Sequence, residues 1–259
     1  MQLFLNKKMG SNIRKAAVLT AAIISMTAAS ASWADNITVK YNGLTGSGGE
    51  VKPYPSGTNF GGVSAGLMTF AVQSGPSMWG SNLQAFCVDI NTWLVTGQNV
   101  TYDIVSANST GGLSALALTQ VSWLFDNHAS ALSGSNSDKA AFQLTLWEML
   151  FEGQGNSFNL GTGNFQAQNF GTGTTTPITT ANTWLANAPT IAGGVSNQWE
   201  FYVLNPVNPE KNQRLITWRE KPEDPNEISE PGTLLLLSAG LGMIFFSTRR
   251  SGAQFASLA

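Results

Sequence analysis

The sequence predicts an α+β protein, in which an antiparallel β-sandwich or barrel carries a helical-hairpin insertion. Three observations favour this class. Short apolar stretches separated by glycine-rich turns fill the first half of the chain, as in antiparallel sheets. Two stretches with helical periodicity follow, joined by a short polar loop. Two more strand-like stretches end the domain, which spans about 190 residues and is long enough to bury a core.

The predicted strands of the first half lie within ITVKY, VSAGLMTFAVQ, LQAFCVDI and NVTYDIV. Glycine, asparagine or serine residues separate these stretches, and such residues favour turns. Between Trp93 and Val100, the stretch VTGQN predicts a hairpin turn. QWEFYVL and QRLITWR predict the closing strand pair, which returns to the sheet.

The helical hairpin is predicted from periodicity and from a capping signal. The first helix is expected over residues 113–127. Ser135 precedes the second helix as an N-cap, and Asp138 follows at capping-box spacing. Residues 153–180 then predict a long loop rich in glycine and asparagine, and such loops in compact domains are usually functional or mobile. A short third helix is expected to end before Pro189.

Residues 1–34 are predicted to be a secretory signal peptide. A basic region leads into an apolar run over residues 16–29 and a small-x-small cleavage site. We expect cleavage between Ala34 and Asp35, with the Sec machinery and signal peptidase as partners. The alternative is a permanent transmembrane helix, but the run is shorter than the roughly 20 apolar residues that a bilayer requires. The exported domain is therefore expected to span residues 35–221.

Residues 222–259 contain a linker and a second targeting signal. A short motif precedes an apolar stretch, predicted as a transmembrane helix over residues 233–248, and two arginines follow it. The motif and the arginines are Ser229, Glu230, Pro231, Arg249 and Arg250. This arrangement resembles the PEP-CTERM sorting signal of exported proteins in Gram-negative bacteria that also make exopolysaccharide. The resemblance implies transient anchoring in the inner membrane, recognition by an exosortase and delivery to the cell surface or extracellular matrix; an ordinary C-terminal anchor is the alternative.

The charge of the exported region limits its partners. Four basic residues lie in the signal peptide and two after the C-terminal apolar run, so seven basic and 15 acidic residues remain. The net charge of this region is about −8. Nucleic acids and anionic membranes bind basic surfaces. We therefore expect neither as a partner.

The chain has a single cysteine, Cys87, in the stretch AFCVDI, so an internal disulfide is excluded. On the second predicted helix, Gln143 shares a face with Trp147 and Leu150, which places a polar amide in an apolar stripe. A buried amide without partners costs roughly 1–3 kcal/mol. We therefore expect a specific partner for the Gln143 side chain.

The segments FCVD and FQLTLW resemble those of the thioester domains of bacterial surface adhesins. In that family, a strand cysteine between an aromatic and an aliphatic residue is bonded to a helical glutamine that an aromatic residue follows. The resemblance implies a thioester between the sulfur of Cys87 and the side-chain carbonyl carbon of Gln143. It also implies covalent attachment to a nucleophile on a partner surface or exopolysaccharide. The aromatic residues expected to shield the bond from water are Phe86, Trp123, Phe142 and Trp147.

Two other functions stay open at this stage. Cys87 can be a small buried apolar residue and Gln143 a cap for a backbone group, in which case the chain is a structural, biofilm- or exopolysaccharide-associated protein. The other is a secreted hydrolase with an unfamiliar site. A Cys87–His128 peptidase dyad is formally possible, but no nucleophile signature surrounds either residue. His128 is more simply an exposed residue at a helix end. We therefore expect no enzymatic turnover.

The sequence shows no motif for a cofactor or metal. No phosphate-binding loop precedes a helix, and a lone Asp89-Ile90-Asn91 is too short for a calcium loop, so it predicts a turn at a strand end. The acidic residues of the two helices are expected to be solvated charges. These are Asp126, Glu148 and Glu152.

Overall fold

The computed structural model describes residues 35–52, 59–153, 156–172, 176–209 and 211–222. In these ranges the chain forms seven strands and three α-helices. The strands are β1 (Asp35–Lys52), β2 (Gly61–Ser74), β3 (Asn82–Cys87), β4 (Asn99–Ser106), β5 (Gln166–Gln168), β6 (Trp199–Pro206) and β7 (Leu215–Glu220). The helices are α1 (Ala115–His128), α2 (Asn136–Phe151) and α3 (Pro177–Leu185). The β-rich α+β class is confirmed, with the α1–α2 hairpin inserted after β4.

All strand pairings among the described residues are antiparallel. The strand order is β2-β3-β7-β6-β4-β1-β5, and β1 also pairs with β2. β1 has both neighbours at once, because Thr38 lies opposite Ser74 of β2 and Thr101 of β4. The additional pairing closes six of these strands into a ring. Of the two predicted arrangements, the ring corresponds to the barrel.

The VTGQN stretch turns but does not form a hairpin. Gly97 has a φ of 78°, a conformation that favours glycine. However, β3 pairs with β2 and β7, whereas β4 pairs with β1 and β6. The hairpin prediction is wrong because the composition of a turn depends only on neighbouring residues, whereas strand pairing depends on contacts with all the other strands of the sheet.

Helix α2 begins at the predicted capping box. The Ser135 hydroxyl accepts the N–H of Asp138 at 3.2 Å, and the Asp138 carboxylate accepts the N–H of Ser135 at 2.8 Å. Residues 140–149 of this helix are all buried, because α2 packs against β1, β2, α1 and α3. A helix enclosed in this way must be apolar on every side unless its polar groups have partners. Gln143 therefore lies in the interior.

Two carboxylates at the end of α2 are buried, so the prediction that they are solvated is wrong. Glu148 is 0% exposed and Glu152 is 4% exposed. Glu148 Oε1 accepts the N–H of Asn159 at 2.6 Å, and Glu152 Oε2 accepts those of Asn164 and Phe165 at 2.6 and 3.1 Å. These carboxylates accept hydrogen bonds from backbone N–H groups of the loop that have no partner in a strand. The predicted long loop is thus tied to α2, and it then forms β5 against the end of β1.

Both targeting segments lie outside the described residues. The predicted signal peptide ends at Ala34, and the structure starts at Asp35, the first residue of β1. The sorting motif and arginines at 229–231 and 249–250, with the apolar helix expected over 233–248, are likewise outside. Within the part of the chain that the structure describes, no helix combines the length and apolar character needed to span a membrane.

Candidate functional site

The structure brings Cys87 and Gln143 together, although 56 residues separate them in the chain. The backbone N–H of Cys87 donates to Gln143 Oε1 at 2.9 Å. In return, Gln143 Nε2 donates to the backbone carbonyl of Cys87, also at 2.9 Å. Gln143 is 1% exposed and Cys87 is 3% exposed, so both hydrogen bonds are formed away from water. The expected partner of the buried amide is therefore the backbone of Cys87.

The end of a strand ladder explains why a side chain can occupy this position. Pairing between β2 and β3 runs to Met68 and Ala85 and does not continue to Cys87. On its other edge, Cys87 is still opposite Leu215 of β7. The N–H and C=O of Cys87 therefore lack a strand partner on one side, and buried backbone groups need one. The Gln143 amide, which carries one acceptor and two donors on a planar group, takes the place of that partner.

Four aromatic rings hold the strand and the helix in register. The Phe86 ring stacks on Phe142 with centroids 4.7 Å apart, and Phe142 contacts Phe125 at 5.0 Å. Trp218 closes the set, at 4.9 Å from Phe125 and 5.6 Å from Phe86. These rings belong to β3, α2, α1 and β7. Because Phe86 and Phe142 directly precede the two site residues, their contact fixes how far the Gln143 amide is from Cys87.

The sulfur of Cys87 lies against the backbone of Asp89. It accepts the Asp89 N–H at 3.3 Å, and its S–H is directed at the Asp89 carbonyl oxygen. Burial raises the pKa of the Cys87 thiol to about 12, against a lowering effect of the hydrogen bond to the Asp89 backbone. The nearby Asp89 carboxylate raises this pKa as well. Sulfur therefore keeps its proton at neutral pH, and any reaction begins from the thiol.

The indole N–H of Trp147 and the hydroxyl of Tyr102 are buried and have no hydrogen-bond partner among the described residues. Burial raises the pKa of the Tyr102 hydroxyl. Buried hydroxyls usually have partners, so the Tyr102 hydroxyl is an exception in this core. Nothing in the stretch NVTYDIV predicts it.

A cavity of about 390 Å³ gives access to the pair, since both Cys87 and Gln143 line it. β1, β2 and the connection from β3 to β4 supply most of its wall. Trp147, one of the predicted shielding residues, lines the same cavity. Phe86 and Phe142 are fully buried beside the pair. The pair therefore lies between buried aromatic rings and the cavity.

Other predicted residues lie elsewhere. Trp123 contacts His128, with ring centroids 5.3 Å apart, and does not line the cavity, so it does not shield Cys87. His128 also stacks on Trp184 at 4.4 Å and is half-buried rather than exposed. A Cys87–His128 dyad is therefore not formed. Asp126 is exposed, as expected.

The predicted turn after β3 is present, because the Asp89 carboxylate accepts the N–H of Asn91 at 2.9 Å. In the ranges that the structure covers, no group of three or more histidine, cysteine, aspartate or glutamate residues is arranged to hold a metal ion.

Comparisons with known proteins complete the description of the site. No protein-family model matches the chain, and no curated protein matches it in sequence. Among solved structures, the N-terminal thioester domain of a surface protein from Clostridium perfringens is similar, with 9% identity and a TM-score of 0.38, over 67% of this chain and 99% of that chain. The N-terminal domain of the Streptococcus pyogenes pilus tip adhesin Cpa is similar over 71% and 99%, with 9% identity and a TM-score of 0.41. The N-terminal thioester domain of the S. pyogenes fibronectin-binding protein SfbI is similar over 65% and 91%, with 10% identity and a TM-score of 0.35. At such scores, the function has to be argued from Cys87 and Gln143 themselves.

Proposed function

We propose that this chain is an exported surface protein that attaches covalently to a partner through a Cys87–Gln143 thioester. The observation that carries the proposal is the pair of 2.9 Å hydrogen bonds that hold the Gln143 amide against Cys87. The two bonds bring the Gln143 amide to the residue that carries the sulfur, and this proximity supports a reaction between the two side chains. The cavity then provides a route by which a nucleophile reaches the bond.

The bond would form by attack of the Cys87 sulfur on the Gln143 side-chain carbon. A C–S bond forms, the C–N bond breaks, and the thiol proton leaves with the amide nitrogen as ammonia. Negative charge develops on Oε1 during the attack, and the Cys87 N–H already donates to that atom. A fixed donor at such an oxygen stabilises the transition state more than it does the amide. The buried aromatic residues keep water from hydrolysing the product.

In the second stage, a nucleophile on a partner surface attacks the same carbon. A new bond to Gln143 forms, the C–S bond breaks and the proton of the nucleophile passes to the Cys87 sulfur. Each chain reacts once, so the role is attachment, not enzymatic turnover. Export by the signal peptide and sorting by an exosortase through residues 229–250 would bring the site to the cell surface, where such a partner is met.

A structural role is the second candidate, and one observation favours it. The two hydrogen bonds give the Gln143 amide a donor and an acceptor partner in the Cys87 backbone, which is sufficient for a residue that only caps that backbone. In that case the thiol stays free and the chain is a non-reactive component of a biofilm or exopolysaccharide matrix. The two candidates differ in one covalent bond, which a mass measurement detects.

The test is the intact mass of the purified mature chain, before and after denaturation in the presence of a thiol-alkylating reagent. The thioester predicts a mass about 17 Da below that of the unmodified chain, from the loss of ammonia, and no alkylation of the native protein. Cys87→Ala and Gln143→Ala should both abolish the loss. Gln120→Ala is the matched control, because Gln120 is also a buried helical glutamine, whose Nε2 donates to the Pro189 carbonyl at 3.2 Å. A full mass with a thiol that is alkylated on unfolding would leave the structural role.

Sorting is tested separately by deletion of residues 230–250. The exosortase proposal predicts that the deleted form accumulates unprocessed in the periplasm or medium, while the full chain reaches the surface. Unchanged surface display of the deleted form would reject sorting without affecting the thioester.

A further inference from the structure

The cavity next to Cys87 and Gln143 has an uncharged lining. No aspartate, glutamate, lysine, arginine or histidine is among the described residues that form it. Its polar groups are neutral hydroxyls and amides, including those of Thr92, Thr96 and Gln213. Apolar side chains such as Ile90 and Leu94 make up most of the remainder. A ligand that fits this cavity must therefore enter without a charge or lose its hydration without compensation.

The cavity also has an exposed tryptophan at its edge. Trp93 lines the cavity yet is 75% exposed, the highest value among the large apolar side chains that the structure describes as exposed. Gly61 and Gly62 border the same opening, and a Cβ at either would meet no atom within 4 Å. A large aromatic face that is left in water beside neutral hydrogen-bonding groups is suited to a flat ligand with an apolar face and polar edges. A sugar ring has this shape and this distribution of polar groups.

The absence of charged side chains among the described lining residues also distinguishes between two common classes of nucleophile, amines and alcohols. A primary alkylamine is mostly protonated at neutral pH. An ammonium group in a cavity without a carboxylate loses its hydration and gains no ion pair to compensate. A hydroxyl enters in its neutral form and can hydrogen-bond to Thr92, Thr96 or Gln213. The lining therefore favours an alcohol over an amine.

We propose that the acceptor of the Gln143 acyl group is a neutral glycan, with a sugar ring stacked on Trp93 and a sugar hydroxyl as the nucleophile. The inference rests on the proposed thioester. The hydroxyl oxygen bonds to the side-chain carbon of Gln143 to give an ester, the C–S bond breaks, and the hydroxyl proton passes to the Cys87 sulfur. No other reagent is consumed. Burial raises the pKa of the Cys87 thiol to about 12, so the departing sulfur is a strong acceptor for that proton.

The experiment compares two oligosaccharides with the same backbone and different charge. Chitin tetrasaccharide is neutral, whereas its deacetylated form carries amines that are mostly protonated at about pH 5.5, at which both incubations are run. The mature chain is first checked for the loss of ammonia and for reaction with methylamine, and it is then incubated with each oligosaccharide at equal concentration. Adducts are followed by intact mass, and hydroxylamine distinguishes an ester from an amide because it cleaves the ester. We expect an ester adduct with the neutral oligosaccharide that forms faster than any adduct with the cationic one.

Variants identify the stacking residue. Trp93→Ala should slow formation of the neutral adduct by about tenfold, the loss expected from one stacked ring, and should slow the reaction with methylamine much less, because methylamine has no ring to stack. Ile191→Ala is the matched control, because Ile191 is 70% exposed but does not line the cavity. The glycan inference would be overturned if the cationic oligosaccharide reacted faster than the neutral one, or if Trp93→Ala formed the neutral adduct as fast as the wild type. In either case, labelling by methylamine would still support the thioester. Absence of ammonia loss would reject the thioester itself, and with it the glycan inference.

Discussion

Replacement of Glu148 by glutamine should remove a large part of the pH dependence of the domain's stability. The Glu148 side chain is 0% exposed, and one of its carboxylate oxygens, Oε2, has no hydrogen-bond partner among the described residues. The other, Oε1, accepts the Asn159 N–H at 2.6 Å. Burial raises the pKa of Glu148 from 4.5 to about 8, and the neighbouring Glu152 carboxylate adds to the increase. Glu148 is therefore protonated in the folded protein at neutral pH.

The sign and the size of the effect follow from this pKa. The folded state holds the Glu148 proton more tightly than the unfolded state, so unfolding releases a proton between pH 4.5 and about pH 8. Stability therefore falls as the pH rises through this window and is independent of Glu148 below it. Each pKa unit corresponds to about 1.4 kcal/mol, so the Glu148 contribution reaches a few kcal/mol, with an upper limit of about 5 kcal/mol at pH 8. Glutamine keeps the Oε1 acceptor and cannot ionise, so it avoids this loss.

The assay is urea unfolding of the exported domain at pH steps from 4.5 to 8.5. The difference in unfolding free energy between Glu148→Gln and wild type should increase steadily with pH, in favour of the variant. Equal m-values would show that the two proteins expose the same surface on unfolding. Glu220→Gln is the control, because Glu220 is exposed at the end of β7. Parallel pH profiles for Glu148→Gln and wild type would refute a raised pKa at Glu148.

Two further predictions concern the helix that carries the site. Gln143→Ala leaves the N–H and C=O of Cys87 buried and unpaired, at about 1–3 kcal/mol for each, so the urea midpoint should fall by an amount equivalent to about 2–6 kcal/mol. An unchanged midpoint would mean that water or another group satisfies both. Ser135→Ala removes the hydroxyl that accepts the Asp138 N–H, and its loss should cost about 1 kcal/mol in the same measurement. Ser133→Ala, two residues earlier and outside the capping box, should cost much less, and equal effects of the two substitutions would contradict the capping role.

The parts of the fold that could be predicted are those that short-range rules determine. The capping box at Ser135 and Asp138 was predictable because its two hydrogen bonds join residues three positions apart. The partners of β3 and β4 were not, because pairing depends on strands more than 100 residues away, such as β7. VTGQN has the composition of a hairpin turn, but it joins strands that are not neighbours. The residue types in VTGQN therefore predict that the chain bends there, but not which strands pair on either side of the bend.

The site was predicted in part, for a similar reason. Short motifs around Cys87 and Gln143 indicated the pair, and the structure places the two residues in contact. The way in which they meet depends on where the ladder between β2 and β3 ends, and no motif encodes that position. Trp123 was assigned to the wrong place because the first helix is apolar on more than one face. Helical periodicity predicts a solvated charge at Glu148, because it does not show that a loop covers α2.

Substitutions at Cys87 and Gln143 distinguish the role of this contact in folding from its role in thioester formation. Both hydrogen bonds use the backbone of Cys87, so Cys87→Ala keeps them and removes the sulfur alone. Gln143→Ala removes both hydrogen bonds together with the acyl carbon. Formation of the thioester itself removes Nε2, which leaves the Cys87 carbonyl without its donor and replaces one hydrogen bond with a covalent bond. The amide can therefore act as a cap or form the thioester, but not both, and Cys87→Ala is the variant in which only the cap is possible.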